Sequence, residues 1–226
     1  MLELNNVTLT CVVGLKKFFD QSILAVAHTA SKCSFSKIKI FSCVPFKHPS
    51  VECVYLPEFS YEDYNRFMIE EMDKYIDTDF IINIQYDGFV LNPQAWNNDF
   101  FNYDYIGAVW PKNLNDDPQV TENTRVGNGG FTLRSKKLLN ILATKFKYDN
   151  SLSKHWNKPY NEDALICRKW RNELEKEGIK FAPVNIASKF SIEHEFQEEY
   201  EGQTFSNIES IKTFGFHNKN ISLTIK

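Results

Sequence analysis

One short apolar run, ended by a carboxylate and a glycine, constrains the fold of this chain most. Residues 79–92 are Asp-Phe-Ile-Ile-Asn-Ile-Gln-Tyr-Asp-Gly-Phe-Val-Leu-Asn. Phe80–Ile84 is nearly continuous in β-forming apolar residues, which is typical of a strand buried on both faces of a parallel sheet. Ligands of open α/β sheets bind beyond the carboxyl ends of the strands. We therefore expect Gln85, Tyr86 and Asp87 at the ligand-binding edge, with the glycine that follows allowing a sharp turn or a close approach to a ligand.

The size and charge of the chain limit its architecture and its partners. The 226 residues are 42% apolar, which suffices for one substantial core, so we expect a single domain over residues 1–226. The formal charge is -3, and the basic residues are scattered rather than clustered. A protein that binds duplex nucleic acid needs a basic patch, so nucleic acid is not an expected partner.

The cysteines and the apolar segments indicate the cellular compartment in which we expect the protein. The five cysteines are odd in number and form no Cys-x-x-Cys pair, which disfavours a disulfide framework and a thiolate zinc site. We expect them to be reduced core thiols in a cytoplasmic protein. The chain opens without a signal-peptide pattern, and its apolar segments fall short of the roughly 20 residues that span a bilayer, so we expect no membrane span.

Hydrophobic periodicity and turn residues predict an α/β fold. In the first half we expect strands at Val7–Val13, Lys37–Cys43 and Val51–Leu56, and helices at Lys16–Thr29 and Tyr61–Ile76, the latter capped by Ser60. In the second half we expect strands at Tyr103–Trp110 and Phe131–Leu133, helices at Ser135–Phe146 and Ala164–Glu177, an extended segment at Phe181–Ile192, and a long polar loop at Pro111–Arg125. Strands that alternate with helices in this way predict a mostly parallel central sheet flanked by helices.

Seven short blocks together resemble one family. The blocks are Tyr61–Arg66, Gln85–Pro93, Tyr103–Gly107, Gly127–Phe131 with Leu133–Ser135, Glu162–Asp163, Phe181–Pro183 and Phe214–His217. In this order they resemble a bacterial and viral domain family that is described as glycosyltransferase-like and of otherwise unknown function. That family is similar to the GT-A class of glycosyltransferases, which use nucleotide sugars. The resemblance implies a Rossmann-like GT-A domain that holds a nucleoside diphosphate sugar at the carboxyl edge of its sheet, in a bacterial or virus-infected host cell.

The resemblance implies a divalent metal site. GT-A enzymes usually carry Asp-x-Asp after the central strand, whereas here Gln85 stands at the first position and Asp87 at the last. A late histidine often completes the metal shell, and His217 stands where that residue would fall. Mg²⁺ or Mn²⁺ prefers oxygen ligands and takes some of them from substrate phosphates, so the expected metal ligands are Asp87 and His217.

The resemblance also implies a catalytic base and donor contacts. Glu162–Asp163 resembles the acidic pair at a helix start in inverting members, in which a carboxylate removes the proton of the acceptor hydroxyl. Asp163 is the first candidate for this base and Glu162 the second. Gly129 and Gly130 would let the backbone approach the donor sugar, and Asn128 would hydrogen-bond to it. Either the metal or Arg134 would stabilise the departing diphosphate.

Each of these features also has a purely structural interpretation. Asp87 and the following glycine form an ordinary turn signal, and acids in the first turn of a helix favour its dipole. The glycine-rich segment could be a simple entry turn to a strand, His217 could be a packed side chain, and Arg134 could form a salt bridge. These alternatives stay open at the level of the sequence.

Three functions agree with these residues. The first is a transferase that moves a sugar from a nucleoside diphosphate sugar to a glycan or another hydroxyl acceptor, with inversion. The second is a non-catalytic module that binds nucleotide sugars or carbohydrates, which the replacement of an acid by Gln85 favours. The third is a viral enzyme that glycosylates nucleic-acid bases, which the absence of a basic stripe disfavours.

Overall fold

The computed structural model describes residues 1–112, 121–150 and 158–218. Within these ranges the strands are β1 (Leu2–Val13), β2 (Cys33–Ser42), β3 (Glu52–Tyr55), β4 (Phe80–Ile84), β5 (Gly88–Val90), β6 (Tyr105–Ile106), β7 (Phe131–Ser135), β8 (Ser191–Ile192) and β9 (Gly215–His217). The α-helices are α1 (Phe19–Lys32), α2 (Tyr61–Arg66), α3 (Lys136–Lys145), α4 (Glu162–Ala164), α5 (Arg171–Lys176) and α6 (Val184–Phe190). Part of the predicted loop Pro111–Arg125, residues 113–120, lies outside the described residues.

Two sheets organise the chain. The larger sheet has the strand order β3-β2-β1-β4-β7-β6; its first four strands are parallel, and β7 runs antiparallel to both of its neighbours. The smaller sheet has the order β5-β9-β8, in which β5 is antiparallel to β9 and β8 is parallel to it. The predicted α/β class with a mostly parallel central sheet flanked by helices is confirmed.

Strand β4 lies at the centre of the large sheet and is buried on both faces. Ile81 packs with the residues that follow α2 and with α3, whereas Ile82 packs in the core on the α1 side of the sheet. Burying one such side chain fully contributes about 1.5–3 kcal/mol. The continuous apolar character of β4 therefore follows from its two covered faces.

The predicted start of the helix at Tyr61 is confirmed. The Ser60 hydroxyl accepts a hydrogen bond from the Asp63 backbone N–H (3.1 Å), and the Asp63 carboxylate accepts one from the Ser60 backbone N–H (3.0 Å). This reciprocal capping box satisfies two donors that a helix start leaves unpaired. The helix does not stay regular to Ile76, because a π-helical turn over Phe67–Glu71 and a 3₁₀ turn over Met72–Tyr75 follow α2.

Three further predicted elements differ in the structure. The predicted strand Tyr103–Trp110 is reduced to β6, because beyond Ile106 the backbone bonds to residues 125–127 instead of β7: the Gly127 N–H donates to the Ala108 carbonyl (3.1 Å) and the Trp110 N–H to the Arg125 carbonyl (2.7 Å). The predicted extended segment Phe181–Ile192 contains α6, which begins directly after Pro183 and leaves only β8 extended. The predicted helix Ala164–Glu177 is interrupted by a π-helical turn over Leu165–Lys169.

The structure also shows how the cysteines are placed and whether a described helix could span a membrane. None of the five cysteines, all at described positions, forms a disulfide. Cys11, Cys33 and Cys167 are buried, as predicted, whereas Cys43 and Cys53 are partly exposed. In the parts of the chain that the structure describes, no helix combines the length and the apolar character needed to cross a membrane.

Candidate active site

The chain turns sharply where it leaves β4. The Gln85 backbone N–H donates to the Gly130 carbonyl (2.9 Å), and the Gly88 N–H donates back to the Gln85 carbonyl (3.0 Å). The Gln85 side chain donates through Nε2 to the Tyr64 hydroxyl (3.0 Å). These bonds fix Tyr86 and Asp87 at the carboxyl end of the central strand, as the sequence predicts.

A cavity of about 310 Å³ opens beside this turn. It lies beyond the carboxyl ends of β1 and β4, and its walls include Gly14, Phe18, Tyr61, Tyr64, Gln85 and Tyr86. The rings of Phe18 and Tyr86 are stacked, with centroids 4.3 Å apart and planes 10° from parallel. The cavity therefore offers flat aromatic faces and a few polar groups, which suits a planar ring.

A wider groove of about 940 Å³ lies elsewhere on the molecule. Its lining includes Arg171, Phe181, Pro183 and Glu199 and shares no residue with the cavity beside Tyr86. Neither the groove nor the cavity is lined by Asp87, Asp163 or His217, but the cavity contains Gln85 and Tyr86, which directly precede Asp87. Its volume alone does not make it the functional site.

Pairing of β5 with β9 places Asp87 against His217. Gly88 is the register partner of His217, and the Asp87 Oδ1 atom lies 3.1 Å from the His217 Nε2 atom. Both atoms are buried, and neither is aligned as a hydrogen-bond partner of the other. Burial opposes a charge on the imidazole, but the carboxylates of Asp87 and Glu193 outweigh it and raise the pKa of His217 to about 10.

The glycine-rich loop Gly127–Gly130 lies between the histidine and the acidic pair. Asn128 has a left-handed backbone (φ 67°), and its Oδ1 accepts hydrogen bonds from the backbone N–H groups of Gly130 (2.7 Å) and Phe131 (3.4 Å). Its Nδ2 lies 2.9 Å from Nδ1 of His217. A side chain at Gly130 would overlap the His217 ring, so the close approach requires glycine.

The two acidic residues at the start of α4 have different environments. Glu162 forms a buried ion pair with Arg134 (2.8 Å), in which the two side chains are 4% and 0% exposed. The partly exposed Asp163 accepts hydrogen bonds from the backbone N–H groups of Gly129 (2.9 Å) and Ala164 (2.6 Å). Burial, with the nearby carboxylates of Glu162 and Glu193, raises the pKa of Asp163 to about 7.

Arg134 is placed differently from the sequence expectation. The residue was expected to meet a departing diphosphate, but its side chain is fully buried beneath the loop. Its Nε donates to the Thr132 hydroxyl (3.1 Å), and its guanidinium lies 5.3 Å from the Tyr105 ring. The position of Arg134 agrees with the salt-bridge interpretation, because its guanidinium is paired with the Glu162 carboxylate.

Sequence reasoning missed Glu193. Its Oε1 atom lies 3.6 Å from Nδ1 of His217, and its Oε2 atom lies 3.2 Å from Nε2 of His194. These two rings outweigh the opposing effect of burial and lower the pKa of the Glu193 carboxyl well below its usual range. A single acid in a polar irregular segment carries no spacing signal, so only the folded chain reveals the contact.

The donor atoms of Asp87 and His217 suit a hard divalent ion. Bonds of 2.0–2.1 Å at right angles place neighbouring ligand atoms roughly 3 Å apart, close to the separation of these two atoms. With the ring protonated the two atoms form an ion pair, and Nε2 offers its lone pair to an ion once that proton has left. Among the described residues no group of three or more His, Cys, Asp or Glu side chains is arranged to hold one ion, so other ligands would come from substrate and water.

The fold is the GT-A glycosyltransferase-like α/β fold. The chain is similar to the solved structure of galactosyltransferase LgtC in complex with donor and acceptor sugar analogs, with a TM-score of 0.56 and 11% identity over 94% of this chain and 87% of that chain. An active-site mutant of LgtC gives a TM-score of 0.56 and 10% identity over the same shares of the two chains. At this identity the likeness establishes the fold, and it confirms the predicted GT-A architecture.

The chain belongs to the family described as "Protein of unknown function (DUF5672)", whose model matches residues 50–217. The matched range contains the cavity residues from Phe59 onward, the Asp87 turn, the glycine-rich loop and the late histidine. No curated protein matches the chain.

Proposed function

We propose that the protein is a glycosyltransferase that moves a sugar from a nucleoside diphosphate sugar to a hydroxyl acceptor with inversion. One observation carries the proposal. On a GT-A-type fold, the loop Gly127–Gly130 joins the Asp163 carboxylate, through the Gly129 N–H, to the His217 imidazole, through the Asn128 amide. His217 in turn lies against Asp87. A base candidate, a late histidine and the strand-end aspartate are thus linked through one loop.

The nucleoside of the donor would occupy the cavity beside Tyr86. A flat base can stack on an exposed aromatic face, and the ring of Tyr86 is half-buried and already parallel to that of Phe18. Gln85 and Tyr64 offer amide and hydroxyl groups on the same wall. A nucleoside bound here places its diphosphate next to Asp87, because Asp87 follows Tyr86 directly at the strand end.

Asp87 and His217 would hold Mn²⁺ or Mg²⁺ on the diphosphate. Such an ion, when bound, neutralises the charge that grows on the leaving diphosphate. Arg134 takes no part in this contact, because its guanidinium is paired with Glu162 in the interior. The Arg134–Glu162 pair instead supports the loop and the start of α4.

Asp163 would act as the base. Each of its carboxylate oxygens accepts one backbone hydrogen bond, and each keeps a lone pair for a further proton donor. As the acceptor oxygen bonds to the anomeric carbon, Asp163 takes the hydroxyl proton, and the bond to the diphosphate oxygen breaks with its electron pair on the diphosphate. A pKa of about 7 matches this role near neutral pH, and Asp163 is not held in a buried ion pair as Glu162 is.

A binding module without catalysis is the second candidate, and Gln85 favours it because an amide replaces one acid at the strand end. Thermal-shift titration with UDP-, GDP-, ADP-, CDP- and dTDP-sugars in Mn²⁺, followed by assay of the stabilising sugar for turnover, separates the two. The transferase requires stabilisation by a nucleotide sugar together with turnover that Asp163→Asn removes. Stabilisation without turnover in the unaltered protein would support the binding module instead.

A further inference from the structure

Glu193 lies on the far side of the His217 ring from Asp87. The two carboxylates face opposite nitrogens of the imidazole, with Asp87 at Nε2 (3.1 Å) and Glu193 at Nδ1 (3.6 Å). The Glu193 backbone is held in place by Asn218, whose Nδ2 donates to its carbonyl (2.9 Å). Because the Glu193 carboxylate faces Nδ1, it cannot bind an ion together with Asp87 and Nε2. It can instead interact with the ring through Nδ1.

An imidazole that binds a metal ion through one nitrogen must keep its proton on the other. If Nε2 of His217 turns its lone pair to an ion beside Asp87, the remaining proton sits on Nδ1. That proton needs an acceptor, because an unpaired buried N–H group costs about 1–3 kcal/mol. The identity of the acceptor decides whether the metal-binding form of His217 is stable.

Of the two described side chains that face Nδ1, only Glu193 can accept this proton. The Asn128 Oδ1 is committed to the backbone N–H groups of Gly130 and Phe131, so the amide presents its Nδ2 to the ring, and an amide nitrogen only donates. Asn128 is the nearer neighbour of Nδ1, at 2.9 Å, and its amide N–H can donate to that nitrogen only when the nitrogen carries no proton. The form with a proton on Nδ1 requires Glu193 as its hydrogen-bond acceptor.

The geometry points to Glu193 as a positioning residue. Its carboxylate would accept a hydrogen bond from the Nδ1–H group of His217 and so select the metal-binding tautomer of the ring. This inference rests on the proposed function, because it concerns the same metal pair. Carboxylates that orient a metal-binding histidine typically change metal affinity by about 10- to 100-fold when they are removed. Asn128 and Glu193 thus compete for one ring nitrogen, and metal binding favours the carboxylate.

The test combines metal affinity with a spectroscopic readout of the ring. Electron paramagnetic resonance of free Mn²⁺ gives the affinity of the full chain, and the ¹⁵N shifts of His217 with and without Mg²⁺ report which ring nitrogen carries the proton. We expect Glu193→Ala, which removes the acceptor, to weaken Mn²⁺ binding by about 10- to 100-fold and to reduce the Nδ1-protonated form in Mg²⁺. Glu201→Ala, at an exposed acid, is the matched control and should change neither quantity.

Each result has one interpretation. Equal Mn²⁺ affinity and equal ring shifts in Glu193→Ala would overturn the role of Glu193 while leaving the metal pair intact. If the unaltered protein binds no Mn²⁺, the inference is overturned together with the metal, whereas nucleotide-sugar turnover in EDTA would show that the transferase itself stands. If Glu193→Ala fails to fold, the unaltered protein decides alone, because an Nδ1 left unprotonated in Mg²⁺ contradicts the inference.

Discussion

The Oδ1 atom of Asp87 lies 3.1 Å from the Nε2 atom of His217, although the two residues belong to distant parts of the chain. The contact exists because β5, which follows the central strand, pairs with β9 near the end of the described chain. The glycine-rich loop then connects this pair to Asp163. The proposed chemistry depends on these three segments meeting.

Asp163→Asn should abolish turnover without weakening donor binding. General base catalysis contributes about 10²- to 10⁴-fold, so kcat should fall by that factor. The amide keeps the size of the carboxylate, and its oxygen can still accept from the Gly129 N–H. Steady-state kinetics and calorimetric Kd for the donor measure the two effects, with the exposed Asp20→Asn as the control. A normal kcat in Asp163→Asn would show that another group acts as the base.

Activity should rise with pH through the pKa of Asp163. The base works only when ionised, and burial with neighbouring carboxylates raises the pKa of this group to about 7. Below pH 7 the carboxyl is protonated and kcat/KM should fall about tenfold per pH unit; above pH 7 it should reach a plateau. A profile of kcat/KM between pH 5 and 9 measures this. A flat profile down to pH 5 would contradict the role of Asp163.

Tyr86→Ala should weaken nucleotide binding. Stacking of a base on an aromatic side chain is worth about 1–3 kcal/mol, so the Kd should rise roughly 5- to 150-fold. Tyr55→Ala is the matched control, since that ring is 65% exposed and does not line the cavity. Calorimetry with the nucleoside diphosphate gives both values. Equal affinities for the two variants would place the nucleoside outside this cavity.

Arg134→Met should destabilise the fold strongly, because it leaves the Glu162 carboxylate buried and unpaired. Breaking a buried ion pair on one side costs about 3–5 kcal/mol, which corresponds to a decrease in Tm of roughly 6–20 °C for a chain of this size. The double variant Arg134→Met with Glu162→Leu removes both charges and should recover much of the loss. Thermal and urea denaturation compare the three proteins. An Arg134→Met variant of normal stability that fails to bind the donor would restore the original diphosphate role.

The parts of the fold predicted correctly are those that local sequence determines. The continuous apolar run Phe80–Ile84 identified the central strand, and the Ser60 cap with Asp63 identified the start of α2. Helix α6 was missed because Pro183 suggested extended structure, although a proline can also precede a helix start. The strand after Tyr105 is shorter than predicted because its backbone changes partner beyond Ile106, from β7 to residues 125–127, and this is a tertiary contact.

The candidate site likewise contains some residues that the local sequence predicts and others that it does not. Gln85, Tyr86 and Asp87 were placed correctly at the strand end because they adjoin a recognisable element. The partners that give the site its chemistry are contributed by other elements: Glu193 faces His217, and Phe18 stacks on Tyr86. Such contacts follow from sheet order and helix packing and have no counterpart in the spacing of residues along the chain.

Release of nucleoside diphosphate from a panel of nucleotide sugars tests the central claim most directly. The assay uses the full chain with Mn²⁺, and compares it with Asp163→Asn and Asp20→Asn. We predict that the unaltered protein and Asp20→Asn release the diphosphate from at least one sugar in the panel, slowly with water alone and faster with a hydroxyl acceptor, and that Asp163→Asn does not. Release from none of the sugars, or equal release by all three proteins, would contradict the account.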